Sequence, residues 1–192
     1  MDIKRGNGDK GIDYFVNDSK LDLSQLEDKR IIVFGERHGN SSDENLVKRL
    51  IKKFSPSFVL VEALGDYKLH SLSTKKRYLK MDEDKHYYGA FTKHWIEISL
   101  KFDIPFIGID YTKWKRGEFE SLSLKETFKI REDHFIKMIE QYAKEGSVIA
   151  ICGDTHMRTI ETEQLGQVSP LYTKYNNGNG SCVIRSAEGE IE

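Results

Sequence analysis

This sequence contains little that would staple, break or anchor a fold. Two cysteines occur in 192 residues, Cys152 and Cys182, with no C-x-x-C spacing, which excludes a disulfide framework or a cysteine-rich metal knuckle. Cys152 falls inside the apolar run SVIAIC and reads as a small buried hydrophobe. Only three prolines interrupt the chain. No apolar stretch approaches the roughly 20 residues that span a bilayer. The first residues, MDIKRGNGDKGIDYF, lack the apolar core of a secretion signal. A charge bias is missing too: 30 Lys and Arg face 31 Asp and Glu, for a net charge of −1. A nucleic-acid binder normally carries a basic face. The expectation is a soluble cytoplasmic protein with no membrane and no nucleic-acid partner. Its oligomeric state is not expressed in the sequence.

Several reactive signatures are absent as well. The chain has no G-x-S-x-G nucleophile elbow. It also has no G-x-x-x-x-G-K-[ST] phosphate loop, no G-x-G-x-x-G dinucleotide turn and no H-E-x-x-H helix. What remains is histidine and carboxylate chemistry acting on water or on metal-bound water.

Four short apolar runs stand out: IIVF (31–34), SFVLVEA (57–63), IPFIGID (104–110) and SVIAIC (147–152). They are continuous and β-branched, as strands buried on both faces of a parallel sheet should be. Helical patterns lie between them. Leu46, Val47, Leu50, Ile51 and Phe54 form one stripe, opened by the capping-box pair Ser41 and Glu44 and stopped by Pro56. Phe91, Trp95, Ile98 and Phe102 form another. A long helix over about 124–144 carries Leu124, Phe128, Arg131, Phe135, Met138 and Tyr142 on one face. The alternation predicts an α/β fold: a three-layer, wound, mainly parallel sheet with helices on both faces. Residues 166–173 and 181–186 read as two further strands around Asn176–Gly180, a C-terminal hairpin extending the sheet antiparallel. The first 29 residues read as an extension with one helical candidate, LDLSQLEDK. The irregular segment 65–88 reads either as a solvated linker with one helix or as a lid. The whole chain, 1–192, reads as one domain.

In parallel sheets, ligands bind outside the carboxyl ends of the strands. The first strand is followed by Gly35-Glu36-Arg37-His38, the second ends in Glu62, the third in Asp110-Tyr111, and the fourth is followed by Gly153-Asp154-Thr155-His156. Every strand therefore delivers an ionisable group to one edge. Glycine followed three residues later by histidine occurs twice, placing a titratable ring just beyond a tight turn. Glu62 interrupts an apolar strand, and Arg131 sits in the middle of the helix face that meets the sheet; neither is easily buried without a partner. The candidate catalytic residues are Glu36, His38, Glu62, Arg131 and His156, and the candidate substrate-binding residues are Arg37, Asp110, Tyr111 and Asp154. His38, His156 and Glu62 are the candidate ligands should a divalent metal (Mn, Co or Zn) be used. His94 reads as a core or rim residue and His134 as a surface residue. His70 and His86 reach the site only if 65–88 folds over it.

On GERH (35–38), GDTH (153–156) and Glu62 in VLVEA, the sequence resembles the erythromycin-esterase, ChaN-like and Tiki/TraB superfamily over roughly residues 29 to 160. Arg131-Glu132 in IREDHFIKMIEQY is similar to the Arg-acid pair many members carry in the helix before the second histidine strand. The G-E-x-H form is nearer the ChaN-like and Tiki types than the macrolide esterases. The resemblance implies hydrolysis of an ester or amide, metal-dependent proteolysis or haem binding, depending on the branch.

The expected function is therefore hydrolysis of an ester, amide or related bond in a small-molecule or peptide substrate. His38, with Glu62 or Glu36, would activate water while Arg131 and His156 stabilise the oxyanion. The alternative is a non-catalytic protein that binds haem or another small ligand.

Overall fold

Apolar residues that alternate along the central strands divide between two cores, and this division builds the fold. The computed structural model describes residues 13–16, 23–112, 119–158, 161–165, 168–176 and 180–186. Seven strands form one sheet: β1 (Asp13–Val16), β2 (Ile31–Glu36), β3 (Phe58–Val61), β4 (Lys68–Leu69), β5 (Phe106–Gly108), β6 (Val148–Gly153) and β7 (Ser181–Ser186). Their order is β1-β7-β2-β6-β3-β5-β4. Ile32, Phe34, Val59, Val61, Ile149 and Ile151 point to one face, and Val33, Leu60, Ala150 and Cys152 to the other. Both faces are dry, so the strands read as unbroken apolar runs rather than as alternating ones.

Helices cover each face. The first core takes α1 (Ser41–Phe54) through Leu46, Val47, Leu50 and Ile51, and α3 (Ala90–Ser99) through Trp95, Ile96 and Ile98. The second takes α4 (Leu124–Ala143) through Phe135, Ile139 and Tyr142, and α5 (Pro170–Tyr175) through Leu171 and Tyr175. The α/β architecture, with a mainly parallel sheet between two helical layers, is the one the sequence predicts.

Several details differ. The antiparallel member is β4, paired to β5, whereas the C-terminal β7 runs parallel to both β2 and β1. Among the described residues no hairpin precedes β7: Pro170–Tyr175 is helix, because Pro170 occupies the first turn and the Ser169 hydroxyl accepts the Tyr172 amide at 3.3 Å. Positions 166–167 and 177–179 of the expected hairpin lie outside the described residues. Within the N-terminal extension, Asp13–Val16 is an edge strand, and Leu23–Leu26 is a single 3-10 turn within the helical candidate. At α1 the cap is Asn40, whose Oδ1 accepts the Asp43 amide at 3.2 Å, while Glu44 turns to Lys48 and His94. On α4 Ile139 is fully buried, Met138 packs partly buried against the same core, and Leu124 is 53% exposed.

Segment 65–88 is ordered. It contains β4, α2 (Leu72–Leu79) and a 3-10 turn at Glu83–Lys85. From α2, the buried Lys75 donates its ammonium protons to the carbonyls of Ser99, Phe102 and Ile104 at 2.7–2.9 Å, tying off the end of α3. Lys75→Met leaves three carbonyls without that donor and is expected to cost about 1–3 kcal/mol. A urea midpoint unchanged from wild type would remove this clamp from the account.

Candidate active site at the carboxyl ends of β2, β3 and β6

Strand order decides which strand ends meet. The chain leaves β2 through α1 for β3, yet β6 is inserted between them. The loop after β6 therefore sits between Glu36-Arg37-His38 on one side and Glu62 on the other. The helices that follow β2 and β6 lie on opposite faces of the sheet, which opens a crevice at that edge. A cavity of about 420 Å³ occupies it, lined by His38, Glu62, Tyr88, Phe91, Phe128, Arg131, Gly153, Thr155 and His156 among others.

Glu62 begins a 3-10 turn directly after β3 and is buried. Its Oε1 accepts from Arg131 Nη2 at 2.5 Å and its Oε2 from the Gly153 amide at 2.7 Å. His156 Nε2 stands 3.5 Å from Oε1. Burial alone would raise the carboxyl pKa. The charges of His156 and Arg131 and the Gly153 amide overcome that and hold it well below the ordinary carboxylate range.

Arg131 reaches from α4 with its Nε and Nη2 engaged. Nε meets Asp110 Oδ1 at 2.9 Å and Nη2 meets Asp110 Oδ2 at 3.1 Å, with Tyr88 Oη 3.2 Å from the same nitrogen. Asp110, at the end of the β5 segment, also accepts from Tyr87 Oη (3.1 Å) and Tyr88 Oη (2.6 Å). Burial disfavours the guanidinium charge, but Glu62 and Asp110 more than restore it.

His156 lies 2% exposed between two carboxylates, with Nδ1 3.2 Å from Glu132 Oε1 and Nε2 facing Glu62. Phe128 and Phe135 flank its ring at 4.8 and 4.9 Å. Burial favours the neutral ring, yet the two carboxylates raise its pKa. Glu132 is itself held from behind. Arg158 Nη1 donates to Oε1 at 2.8 Å and Ser169 Oγ to Oε2 at 3.0 Å.

His38 differs. Its side chain is half exposed, edge-on to Phe91 at 4.6 Å. Nδ1 is 3.5 Å from the buried Glu36 Oε1. The nearby Glu36 carboxylate raises the His38 pKa against the opposing effect of burial, while burial raises that of Glu36. Nε2 points across the cavity toward Gly153: a Cβ there would stand 3.2 Å from it and 3.6 Å from Glu62 Oε2. Gly153→Ala is therefore expected to fold normally and to displace the His38 ring from its place at the cavity. The His38 imidazole resonances and a melting curve read the two effects separately.

The structure thus brings together Glu36, His38, Glu62, Arg131 and His156. Asp110 joins them through Arg131. Arg37 is turned away, its guanidinium and amide on Asp43 at the start of α1 (2.8–3.2 Å). Tyr111 stacks against Phe119 and His134, and Asp154 packs against Gly35 behind the sheet edge. None of these last three lines the cavity. His94 is exposed and pairs with Glu44, His70 is exposed, and buried His86 meets Tyr67 outside the cavity. Sequence reading did not single out Tyr88, Arg158 or Ser169. Tyr88 lies in an aperiodic stretch, and Ser169 in a segment read as a strand.

A divalent metal does not fit the candidate ligands. Among the described residues no group of three or more His, Cys, Asp or Glu side chains is arranged to hold one. Both Glu62 oxygens already accept from Arg131 and Gly153, and each His156 nitrogen already faces a carboxylate.

No protein-family model matches the sequence, and no curated protein matches it. Among solved structures, one described as cofacial heme binding to ChaN of Campylobacter jejuni aligns with a TM-score of 0.44 and 14% identity, over 88% of this chain and 86% of that one. No helix among the described residues is long and apolar enough to cross a membrane.

Proposed function

We propose that the protein hydrolyses an ester, amide or related bond in a small organic molecule without a metal, with His38 as general base. One observation carries this reading: the Glu36 carboxylate stands 3.5 Å from Nδ1 of His38, and Nε2 faces the cavity. The carboxylate beside Nδ1 favours the tautomer with the proton on Nδ1, which leaves the Nε2 lone pair for a water. His38 Nε2 takes a proton from that water as its oxygen adds to the carbonyl carbon. The developing oxyanion forms beside the positive charges of the buried Arg131 and His156 side chains. The proton on His38 then passes to the leaving group. Glu62 is ionised and saturated with donors, so its role is to hold His156 and Arg131 rather than to move a proton.

A panel of fluorogenic esters and amides, assayed in chelator, tests this. Turnover by wild type that is lost in His38→Ala supports it; no turnover on any member overturns it. A second reading, capture of haem or another organic ligand without turnover, is favoured by the half-exposed His38 ring set against Phe91. Hemin titration would then give an intense visible band that His38→Ala loses.

A further inference from the structure

The groups that face the cavity are already paired, charge against charge. Arg131 lies between Glu62 and Asp110, and His156 between Glu62 and Glu132. Arg158 closes on Glu132 from behind. Three cations thus meet three anions: Arg131, His156 and Arg158 against Glu62, Asp110 and Glu132. Glu36 and His38 form a further pair, with Nδ1 3.5 Å from Oε1. Outside the cavity lining, Arg37 pairs with Asp43, and the Asp154 carboxylate packs against Gly35.

We propose that the cavity takes a small uncharged organic molecule bearing a carbonyl, and rejects anions and cations of the same shape. This names the substrate class for the hydrolase reading and rests on it only for the bond that is broken. An ionic ligand would either bring an uncompensated charge into a buried cluster or draw Arg131 or Glu62 away from its partner. Both leave a buried charge unpaired, which proteins tolerate poorly. A neutral ligand asks for neither. Tyr88, Phe91, Phe128 and Ala63 offer it apolar and aromatic walls, and His38 and Thr155 offer polar atoms. The volume of about 420 Å³ sits toward the small end of ligand cavities, roughly 300–1,000 Å³.

Benzamide, benzoate and benzamidine share one shape and differ in charge, so they test the proposal directly. Each is titrated into the 15N-labelled full chain, and the dissociation constant is read from the Gly153 amide, which donates to Glu62 inside the site. Benzamide is expected to bind more tightly than either ion by about tenfold or more. Binding of benzoate or benzamidine as tight as that of benzamide, or no shift at Gly153 with any of the three, overturns the proposal. Glu62→Gln removes one anion and is expected to bring benzoate level with or above benzamide. An unchanged ranking in a folded variant would overturn the charge-balance argument, and should that variant not fold, the wild-type ranking decides alone. Benzamide ranked first with no ester or amide turned over would sink the hydrolase reading and leave this one standing. Ester turnover with benzoate ranked first would do the reverse.

Discussion

Arg131→Ala is expected to lower the unfolding free energy by about 3–5 kcal/mol, the usual cost of removing one partner from a buried ion pair. The side chain closes two carboxylates at once, Glu62 and Asp110, through contacts of 2.5–3.1 Å. Its loss leaves two buried negative charges facing each other across a cavity. Arg131→Lys keeps the charge but not the fork that meets Asp110 at two points, so it is expected to recover part of the loss and not all of it. Urea unfolding of both variants measures this; two midpoints within error of wild type would show that the cluster is not a structural keystone. The acid side carries a linked signature. Glu62 has a depressed folded-state pKa, so its contribution to stability is complete above the ordinary carboxyl value of 4.5. That contribution is lost as pH falls through the lower folded value. Melting curves between pH 7 and pH 3 should show a loss that shrinks in Glu62→Gln.

Under the proposed hydrolysis, His38→Ala is expected to reduce kcat/KM by about 10²–10⁴-fold, the range general-base catalysis contributes, while stability stays within about 0.5 kcal/mol of wild type. The separation follows from placement: the ring is half exposed and lines the cavity edge-on to Phe91. The pH profile has a definite sign. A general base works unprotonated, and Glu36 raises the His38 pKa above the ordinary 6.5. Turnover should therefore rise with pH through an apparent pKa higher than that of a free histidine. Glu36→Gln should move this limb to lower pH. Full turnover by His38→Ala on a proven substrate would end the mechanism, and an unmoved limb in Glu36→Gln would remove Glu36 from it.

Ser169 shows where sequence reading stopped. GQVSPLYT has the β-branched and aromatic content of a short strand, and read as one it carried no site residue. In the fold, Pro170 starts a helix and Ser169 caps it. The same hydroxyl lies 2.6 Å from the His156 carbonyl and 3.0 Å from Glu132. A local pattern cannot report this, because the partners lie 13 and 37 positions away. Glu132 was visible only as the neighbour of Arg131. Helix geometry turns adjacent residues about 100° apart, yet both are buried here because Arg131 reaches toward the strand ends while Glu132 faces α5. Arg37 failed in the opposite way: it is adjacent to His38 in the chain, and Asp43 six residues on holds it away from the cavity.

By itself the sequence determined the layers of this protein and the residues at its strand ends. Both follow from local rules: runs of β-branched residues must be dry on two faces, apolar stripes at helical spacing must meet them, and a glycine after a strand lets the next polar groups turn outward. Only the tertiary structure decided which strand ends meet and which charges pair. The insertion of β6 between β2 and β3 carries His156 to Glu62 across 94 positions and Arg131 to Glu62 across 69. Strand order follows from burying the whole apolar surface at once, a global packing condition that no window of the chain contains.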